Sequence, residues 1–192
     1  MKKLIGLKKT KSAVFISGTG SNLKNLIKFS YKTNSPISIE IIISNNKKAK
    51  GLKYSNQYKI EKKIINFENH ISAEKTILKV LLKKKINFIC LAGFMKILSK
   101  NFIKKFNGKI INIHPSLLPK YKGLNTHARA LKNKEKFSGC SVHFVNSKLD
   151  SGKIIMQEKV KITKNDTSFS LKRKVLKKEH KLFPAAIKKV LN

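Results

Sequence analysis

"SAVFISGTGSNLKNLIKFS", residues 12 to 30, changes its apolar pattern halfway along. The first part, SAVFISG (12–18), is a continuous apolar run with the length of a buried strand. The last part places Leu23, Leu26 and Ile27 at the spacing of one helical face. Glycines and a serine between the two parts allow a tight turn. The stretch therefore predicts a strand, a turn and a helix, the first unit of a sheet whose strands are joined by helices.

The same alternation continues along the chain. Further strands are predicted at 37–44, 62–67, 86–93, 109–114, 139–146 and 153–162, and helices at 51–57, 73–85, 125–133 and 165–192. The last helix is expected to be capped near Asp166 or Thr167, and a kink before Pro184 is left open. This order predicts an open, mostly parallel, Rossmann-like α/β sheet with helices on both faces and an antiparallel strand near the C-terminus. Ligands of such sheets bind outside the carboxyl ends of the strands.

Length and composition indicate one domain over residues 1–192. A chain of 192 residues suits one buried core, and its apolar residues occur in short blocks rather than in one run of ~20, so no membrane span is predicted. The apolar part of the N-terminus, Leu4 to Leu7, is too short for a secretory signal, so we expect a cytoplasmic protein. Cys90 and Cys140 lie in apolar runs without CxxC spacing and are expected to be buried hydrophobic residues rather than disulfide partners or metal ligands.

The formal net charge of +35 raises the possibility of nucleic-acid binding. Only Arg129 and Arg173 are arginines, the lysines are spread over the whole chain, and no recognition motif accompanies them. The sequence thus disfavours specific nucleic-acid binding and favours solvated lysine-rich faces. With only Asp150 and Asp166 as aspartates, a carboxylate beside a candidate site is informative.

The loop SGTGSN (17–22) joins the first strand to the first helix. Glycines at such a turn can bring backbone N–H groups and a helix N-terminus up to a phosphate. A dinucleotide-binding loop would need a third glycine where Leu23 stands, so nicotinamide binding is disfavoured. The simpler alternative is a tight turn alone, with Ser21 or Asn22 as the helix cap.

The strand KIINIH (109–114) ends in polar side chains. Alternation puts Asn112 and His114 on the same side of the strand, and Pro115 ends its pairing. An imidazole can transfer protons near neutral pH, and an amide can donate a hydrogen bond to an oxygen that gains negative charge. Asp150 is the preferred carboxylate partner, because Asp166 fits a helix cap. No serine or cysteine has a nucleophile motif, so direct transfer between two bound substrates is favoured, although a purely structural Asn/His pair remains an alternative.

Five blocks of sequence resemble the phosphoribosylglycinamide formyltransferase family: FISGTGSNL (15–23), LAGFMKILS (91–99), NIHPSLLPKYKG (112–123), SVHFV with LDSGKII (141–155) and KEHKLFP (178–184). The HPSLLP motif is typical of formyltransferases in general, and the GTGSN loop in one short domain points to the glycinamide enzymes. The resemblance implies a formyltransferase fold. It also implies transfer of a formyl group from 10-formyltetrahydrofolate, as co-substrate, to the amine of phosphoribosylglycinamide in purine synthesis, with no metal and no nicotinamide.

The resemblance also implies roles for individual residues. Asn112 and His114 would stabilise a tetrahedral oxyanion, with His114 as general acid and Asp150 raising its pKa and orienting it or a bridging water. The N-terminal half would bind the phosphate substrate, and the C-terminal half would bind folate and carry out catalysis. The residues assigned to ribose phosphate and glycinamide are Gly20, Ser21, Asn22, Leu176 and Glu179. The residues assigned to folate are Met95, Lys96, Ile97, Leu98, Asn112, Asn146, Ser147, Lys148, Leu149 and Asp150.

The chain departs from the family pattern at two positions. Asn125 stands where the family commonly has histidine, which leaves His127 as the remaining member of that pair. An arginine near the folate tail falls at Ala73, and lysines are expected to compensate. His143 fits either a site residue or a core histidine, whereas His70 and His180 are expected at the surface or in packing. The sequence leaves the choice of monomer or homodimer open.

Three alternatives remain beside this reading. A methionyl-tRNA formyltransferase would need a further C-terminal domain, and a formyltetrahydrofolate hydrolase an N-terminal regulatory one. From a different class, a lysine-rich nucleic-acid-binding module would bind with a steep dependence on salt and would have no folate-dependent activity.

Overall fold

The computed structural model describes residues 9–192, so Leu4 to Leu7 lie outside the described residues. The strands are β1 (Thr10–Ile16), β2 (Ile37–Ser44), β3 (Glu61–Ile64), β4 (Phe88–Leu91), β5 (Lys109–His114), β6 (Phe137–Phe144) and β7 (Ile154–Lys161). The helices are α1 (Ser21–Ser30), α2 (Lys53–Tyr58), α3 (His70–Lys83), α4 (Lys100–Lys105), α5 (Thr126–Lys132) and α6 (Ser168–Leu191), and a 3-10 turn (Lys50–Leu52) precedes α2.

The strands form one seven-stranded sheet in the order β3-β2-β1-β4-β5-β6-β7. Strands β1 to β5 are parallel, β6 is antiparallel to both its neighbours, and β7 therefore runs in the direction of β5. The predicted mostly parallel α/β fold with a reversed strand near the C-terminus is confirmed. Because β1, β4 and β5 are adjacent, the segments that follow them emerge at the same edge of the sheet.

Strand β1 is an interior strand of the sheet, and its side chains are apolar on both faces. Val14 and Ile16 pack into the core cluster that includes residues of α1 and α6, whereas Ala13 and Phe15 pack into the cluster of α3 and α4. All four are fully buried. Burying a side chain such as Ile16 contributes roughly 1.5–3 kcal/mol, so the two layers of helices hold the central strands rigidly.

The clearest departures from the prediction concern β3 and α4. The third strand ends at Ile64 rather than at 67, because Ile65 and Phe67 leave the exposed edge strand and turn into the core. Helix α4 was not predicted, because its six residues, three of them lysine, show no apolar periodicity. Its N-cap is Ser99, whose side chain accepts from the Phe102 amide, and Phe102 is fully buried.

Helix α6 is long and continuous. Its N-cap is Thr167, one of the two residues that the sequence suggested. The Thr167 side chain accepts from the Ser170 amide and the Ser170 side chain accepts from the Thr167 amide, which forms a capping box. The helix runs through Pro184 to Leu191. In the described part of the chain, no helix combines the length and the apolar character needed to cross a membrane.

Both cysteines are free and buried, as the sequence predicts. Burial raises the pKa of the Cys90 thiol far above its ordinary value. It also raises the pKa of Cys140 to about 12, so neither residue is poised for thiolate chemistry.

Candidate active site

The two polar side chains at the end of β5 lie on one side of the strand, as alternation predicts. Asn112 is opposite His143 on β6, and His114 is opposite Ser141. His114 is buried, and Asn112 is partly buried. The rigid centre of the sheet therefore fixes the backbone that carries both groups.

Asp150 joins these two residues from the loop between β6 and β7. One of its oxygens, Oδ1, lies 3.3 Å from the Asn112 amide nitrogen, and the other, Oδ2, lies 3.3 Å from Nδ1 of His114. The Gly123 amide also donates to Oδ2 at 2.9 Å. The structure thus brings together the three residues that sequence reasoning selected, and two amide donors, Nδ2 of Asn112 and the Gly123 N–H, point at one negative group.

His143 determines which end of the Asn112 amide faces Asp150. Its Nδ1 lies 2.8 Å from the carbonyl oxygen of Phe144, which can only accept, so Nδ1 carries a proton. In the neutral ring Nε2 is then an acceptor, and it lies 3.2 Å from Nδ2 of Asn112. The Asn112 NH₂ group therefore donates to both His143 and Asp150. This histidine, which the sequence left undecided, is buried and in contact with the site.

The His114 ring is oriented by a backbone carbonyl. Its Nε2 lies 2.9 Å from the Tyr121 oxygen, so Nε2 carries a proton and Nδ1 faces Asp150. Burial lowers the pKa of His114 below its ordinary value, while the Tyr121 carbonyl and the Asp150 charge act in the opposite direction. The expected raising effect of Asp150 is therefore present, but it does not outweigh burial in the free protein.

Asp150 is held in its ionised form. Burial alone would raise the pKa of this carboxyl group, but the Gly123 amide and the neighbouring His143 and His114 rings together lower it below its ordinary value. An ionised carboxylate between two imidazoles and an amide can take up a proton or favour the protonated form of His114.

The glycine loop approaches a second glycine at the start of helix α1. Gly20 has φ 73°, and a Cβ there would lie 2.6 Å from the Cα of Gly51. Gly20, rather than Ser21 or Asn22, is the N-cap, and no side-chain oxygen caps the helix. The first amides of α1 therefore have no side-chain partner from the cap, as a phosphate site would require.

Asn22 and Glu179 meet between α1 and α6. Nδ2 of Asn22 donates to Oε2 of Glu179 at 2.6 Å, and both side chains are buried. Oδ1 of Asn22 is buried and has no hydrogen-bond partner within residues 9–192. Burial raises the pKa of Glu179, against the effects of Asn22 and Lys172. Leu176, half-buried, lies one helical turn before Glu179. The loop and α6 thus supply a buried acceptor that suits an N–H donor of a ligand.

A small cavity of about 60 Å³ lies beside Asp150. Of the residues predicted to contact folate, it is lined by Lys96, Ile97, Leu98, Asn112, Asn146, Lys148, Leu149 and Asp150. Met95 lines a neighbouring cavity instead, and Ser147 is exposed and lines neither cavity. Ile97 and Leu149 are about half exposed and give the cavity an apolar rim.

The neighbouring cavity, of about 460 Å³, was not predicted as a site. It lies beyond the ends of β1, β2 and β3, and Lys96 lines both cavities. Its other lining residues are Ser17, Asn45, Asn46, Asn66, Phe67 and Glu68. In the sequence, the only indication of this cavity was the pair Asn45 and Asn46, two polar residues directly after β2.

The residues at which the chain departs from the family pattern lie in different surroundings. Asn125 is exposed and is the N-cap of α5, with φ 56°. His127 is half-buried with an unpartnered Nδ1 atom, and burial lowers its pKa to about 4, with smaller effects of Lys172 and His114. Ala73 is buried in the core next to α4 rather than in either cavity. The described residues contain no cluster of three or more His, Cys, Asp or Glu side chains that could hold a metal ion.

Comparison with known proteins matches the chain to one family. The model of the family described as formyl transferase matches residues 10–187. Phosphoribosylglycinamide formyltransferase of Haemophilus influenzae is 40% identical over 181 residues, which cover 93% of this chain and 85% of that protein. The crystal structure of phosphoribosylglycinamide formyltransferase from Brucella melitensis has a TM-score of 0.91 at 39% identity and covers 96% of both chains.

A longer relative has the same region within a larger protein. The human trifunctional purine biosynthetic protein adenosine-3 is 45% identical over 186 residues. These residues cover 95% of this chain and only 18% of the human protein. The chain therefore spans about a fifth of that relative.

Proposed function

The chain belongs to the formyl transferase family, and we propose that it transfers the formyl group of 10-formyltetrahydrofolate to the amine of phosphoribosylglycinamide, a step of purine synthesis. The observation that carries this proposal is the convergence of Asn112, His114 and Asp150 at the end of β5. Nδ2 of Asn112, and Nδ1 of His114 once the ring is protonated, can also donate to the negative oxygen of a tetrahedral intermediate.

The reaction proceeds by direct attack. The amine nitrogen of the acceptor forms a bond to the formyl carbon, and the carbonyl electron pair moves onto its oxygen. This oxyanion accepts hydrogen bonds from Asn112 Nδ2 and His114 Nδ1. The intermediate collapses when the bond between the formyl carbon and N10 of the folate breaks, and N10 takes a proton in place of the one lost by the amine. Losing one oxyanion donor typically costs about 3 kcal/mol, a hundredfold or more in rate.

Asp150 and His114 move the proton. The ionised carboxylate accepts a proton from the attacking amine, directly or through a bridging water. The imidazolium of His114 acts as the acid. Because burial disfavours this charged form, His114 depends on Asp150 and the Tyr121 carbonyl for its protonation. The negative charge that develops on the formyl oxygen favours the same protonated form.

The acceptor binds at the glycine loop and α6. The backbone amides at Gly20, Ser21 and Asn22 hold the ribose phosphate at the N-terminus of α1. The buried Oδ1 of Asn22 accepts from an N–H of the glycinamide, which would satisfy the one buried amide oxygen that has no partner among the described residues. Glu179 contacts the same part of the acceptor, and Leu176 packs against it.

Folate binds in the small cavity next to Asp150. Its pterin lies between the segments 95–98 and 146–150, where the apolar rim of Ile97 and Leu149 covers its faces. Lys96 lines both cavities, so the charged tail of the folate passes it toward the larger one. The chain acts as one domain in the cytoplasm, with phosphate binding in its N-terminal half and folate binding with catalysis in its C-terminal half.

The experiment that tests this function is an assay of the purified protein with 10-formyltetrahydrofolate and phosphoribosylglycinamide. We expect loss of the formyl group from folate together with one equivalent of formylated acceptor, detected by mass spectrometry. Release of formate without acceptor would indicate a hydrolase, and transfer only to methionyl-tRNA would indicate another formyltransferase. Either result would contradict the proposal. Inactivity together with salt-sensitive binding of nucleic acid would instead support the nucleic-acid-binding alternative.

A further inference from the structure

The loop between β5 and α5 provides two backbone groups to the active site. The Tyr121 carbonyl accepts from Nε2 of His114 at 2.9 Å, and the Gly123 amide donates to Oδ2 of Asp150 at 2.9 Å. These contacts orient the acid and the carboxylate, and the Gly123 amide bonds to the same carboxylate oxygen that faces His114. The conformation of residues 121–123 therefore sets the geometry of both groups.

This backbone is strained. Tyr121 has φ 56°, a left-handed conformation that costs a non-glycine residue about 1 kcal/mol or more. Gly123, two residues on, has φ 77° and adopts it without that cost. A strained tyrosine returns to an ordinary conformation unless other contacts hold it.

The Tyr121 side chain is held on three sides. Its hydroxyl donates to Oε1 of Glu135 at 2.8 Å and accepts from Nδ2 of Asn133 at 3.0 Å. The guanidinium of Arg129 lies 5.2 Å from the centre of the ring. Arg129 also donates to the backbone on the far side of Tyr121, to the Lys122 oxygen at 2.6 Å and the Leu124 oxygen at 3.3 Å.

We propose that Tyr121, Glu135 and Arg129 are positioning residues: they hold the strained backbone at 121–123 and thereby fix the His114 ring and the Asp150 carboxylate. None of the three side chains touches the reacting atoms in this account. The proposal rests on the proposed function, because it assigns the residues to the geometry of that reaction.

The carbonyl contact controls both the tautomer and the protonation of His114. The titratable and charged groups that face this ring are Asp150 from the β6–β7 loop, His143 from β6, and Arg129 and His127 from α5. Of these, only Asp150 favours the imidazolium, and the Tyr121 carbonyl adds to its effect. When the carbonyl moves away, the pKa of His114 falls further and the tautomer protonated at Nδ1 becomes accessible.

Glu135 allows a matched control. The same oxygen, Oε1, accepts from Tyr121 and from Nζ of Lys120 at 2.8 Å. The Lys120 side chain is 64% exposed, so its ion pair contributes little. Lys120→Met removes this pair and leaves the Tyr121 contact, whereas Tyr121→Phe removes only the hydroxyl contacts.

The experiment compares Tyr121→Phe, Glu135→Leu and Lys120→Met in steady-state kinetics across pH; leucine is chosen because glutamine would still accept from the Tyr121 hydroxyl. We expect kcat to fall about five- to tenfold in the first two variants, with both KM values changed less than about twofold, and with the alkaline limb shifted to lower pH. Lys120→Met should behave as the parent protein. Equal pH profiles in all four proteins, or an equal effect of Lys120→Met, would overturn the proposal. Circular dichroism checks the fold, and Glu135→Leu remains decisive if Tyr121→Phe does not fold.

A second measurement does not depend on transfer activity. Nitrogen-15 NMR of the histidine rings reports the tautomer and the pKa of His114, assigned by the signal lost in His114→Ala. We expect the form protonated at Nε2 in the parent protein, and a mixture with a lower pKa in Tyr121→Phe. An unchanged His114 signal in that variant would overturn the proposal. If the shift is seen in a protein that transfers no formyl group, the proposed function fails and the positioning role stands.

Discussion

Replacing Asp150 by asparagine tests the site most sharply, because the change keeps the size of the side chain and removes its charge. The carboxylate accepts from the Gly123 amide and from Asn112, and its Oδ2 faces His114. In Asp150→Asn, an NH₂ group replaces one carboxylate oxygen, so the donors that bonded to that oxygen lose their acceptor. The variant should transfer formyl groups slowly while binding both substrates.

The size of the effect follows from the His114 contact. Two unit charges 3.3 Å apart interact by about 5 kcal/mol at an effective dielectric constant of about 20, which is an upper bound. A hydrogen bond to a charged group contributes about 1.5–3 kcal/mol net, so kcat should fall roughly 10- to 150-fold.

The pH profile provides an independent test, because the direction of its shift can be predicted. The proposed mechanism needs the imidazolium of His114, so we expect activity to be lost as pH rises through the pKa of His114. Asp150 raises that pKa, and its removal therefore moves the alkaline limb to lower pH.

The assay is steady-state transfer measured from pH 4 to pH 10, with Asp166→Asn as the control. Asp166 is the other aspartate of the chain, and it pairs with Lys174 beside the start of α6. Its replacement should lower the melting temperature and leave the pH profile unchanged. A normal rate with an unshifted profile in Asp150→Asn would refute the role of this carboxylate.

Three further changes test other parts of the account. Gly20→Ala should lower the melting temperature and raise KM for the acceptor, because a Cβ at φ 73° would lie 2.6 Å from the Gly51 Cα; an unaltered melting curve would contradict this packing. Glu179→Gln should raise KM for the acceptor about tenfold and change kcat less, since the buried bond to Asn22 is disturbed; equal KM values would remove Glu179 from the acceptor site. The free energy of unfolding should fall from pH 6.5 to about pH 4, because the folded protein keeps His127 neutral with a pKa of about 4 while the unfolded chain takes up a proton. His127→Gln should reduce that loss of stability by an amount of order 1 kcal/mol once solvent screening is included. Urea unfolding at both pH values measures the loss, and an equal loss in the parent protein and the variant would argue against this role of His127.

Much of the fold was predictable from periodicity alone. The run of four buried residues in β1 and the helical spacing of Leu23 and Leu26 are local signals that the tertiary structure did not override. Helix α4 gave no such signal, because its single buried side chain, Phe102, forms no periodic pattern by itself. It is recognisable as a core residue only in the folded structure.

The geometry of the candidate site was predictable where the site is built from side chains with recognisable chemistry. Alternation along β5 placed Asn112 and His114 together, and the scarcity of aspartate pointed to Asp150. The contacts of Tyr121 and Gly123 could not be predicted, because they are made by backbone groups that any residue carries and depend on loop conformation. The role of His143 likewise depends on the register of β6 against β5, which a single sequence does not reveal.

The central claim is that Asn112 and His114 stabilise the oxyanion of formyl transfer. The most direct measurement is kcat of His114→Ala at saturating substrates, together with dissociation constants for both substrates by calorimetry. We expect kcat to fall about a hundredfold or more while both dissociation constants change by less than about threefold. A kcat close to that of the parent protein, or a loss that lies wholly in substrate binding, would contradict it.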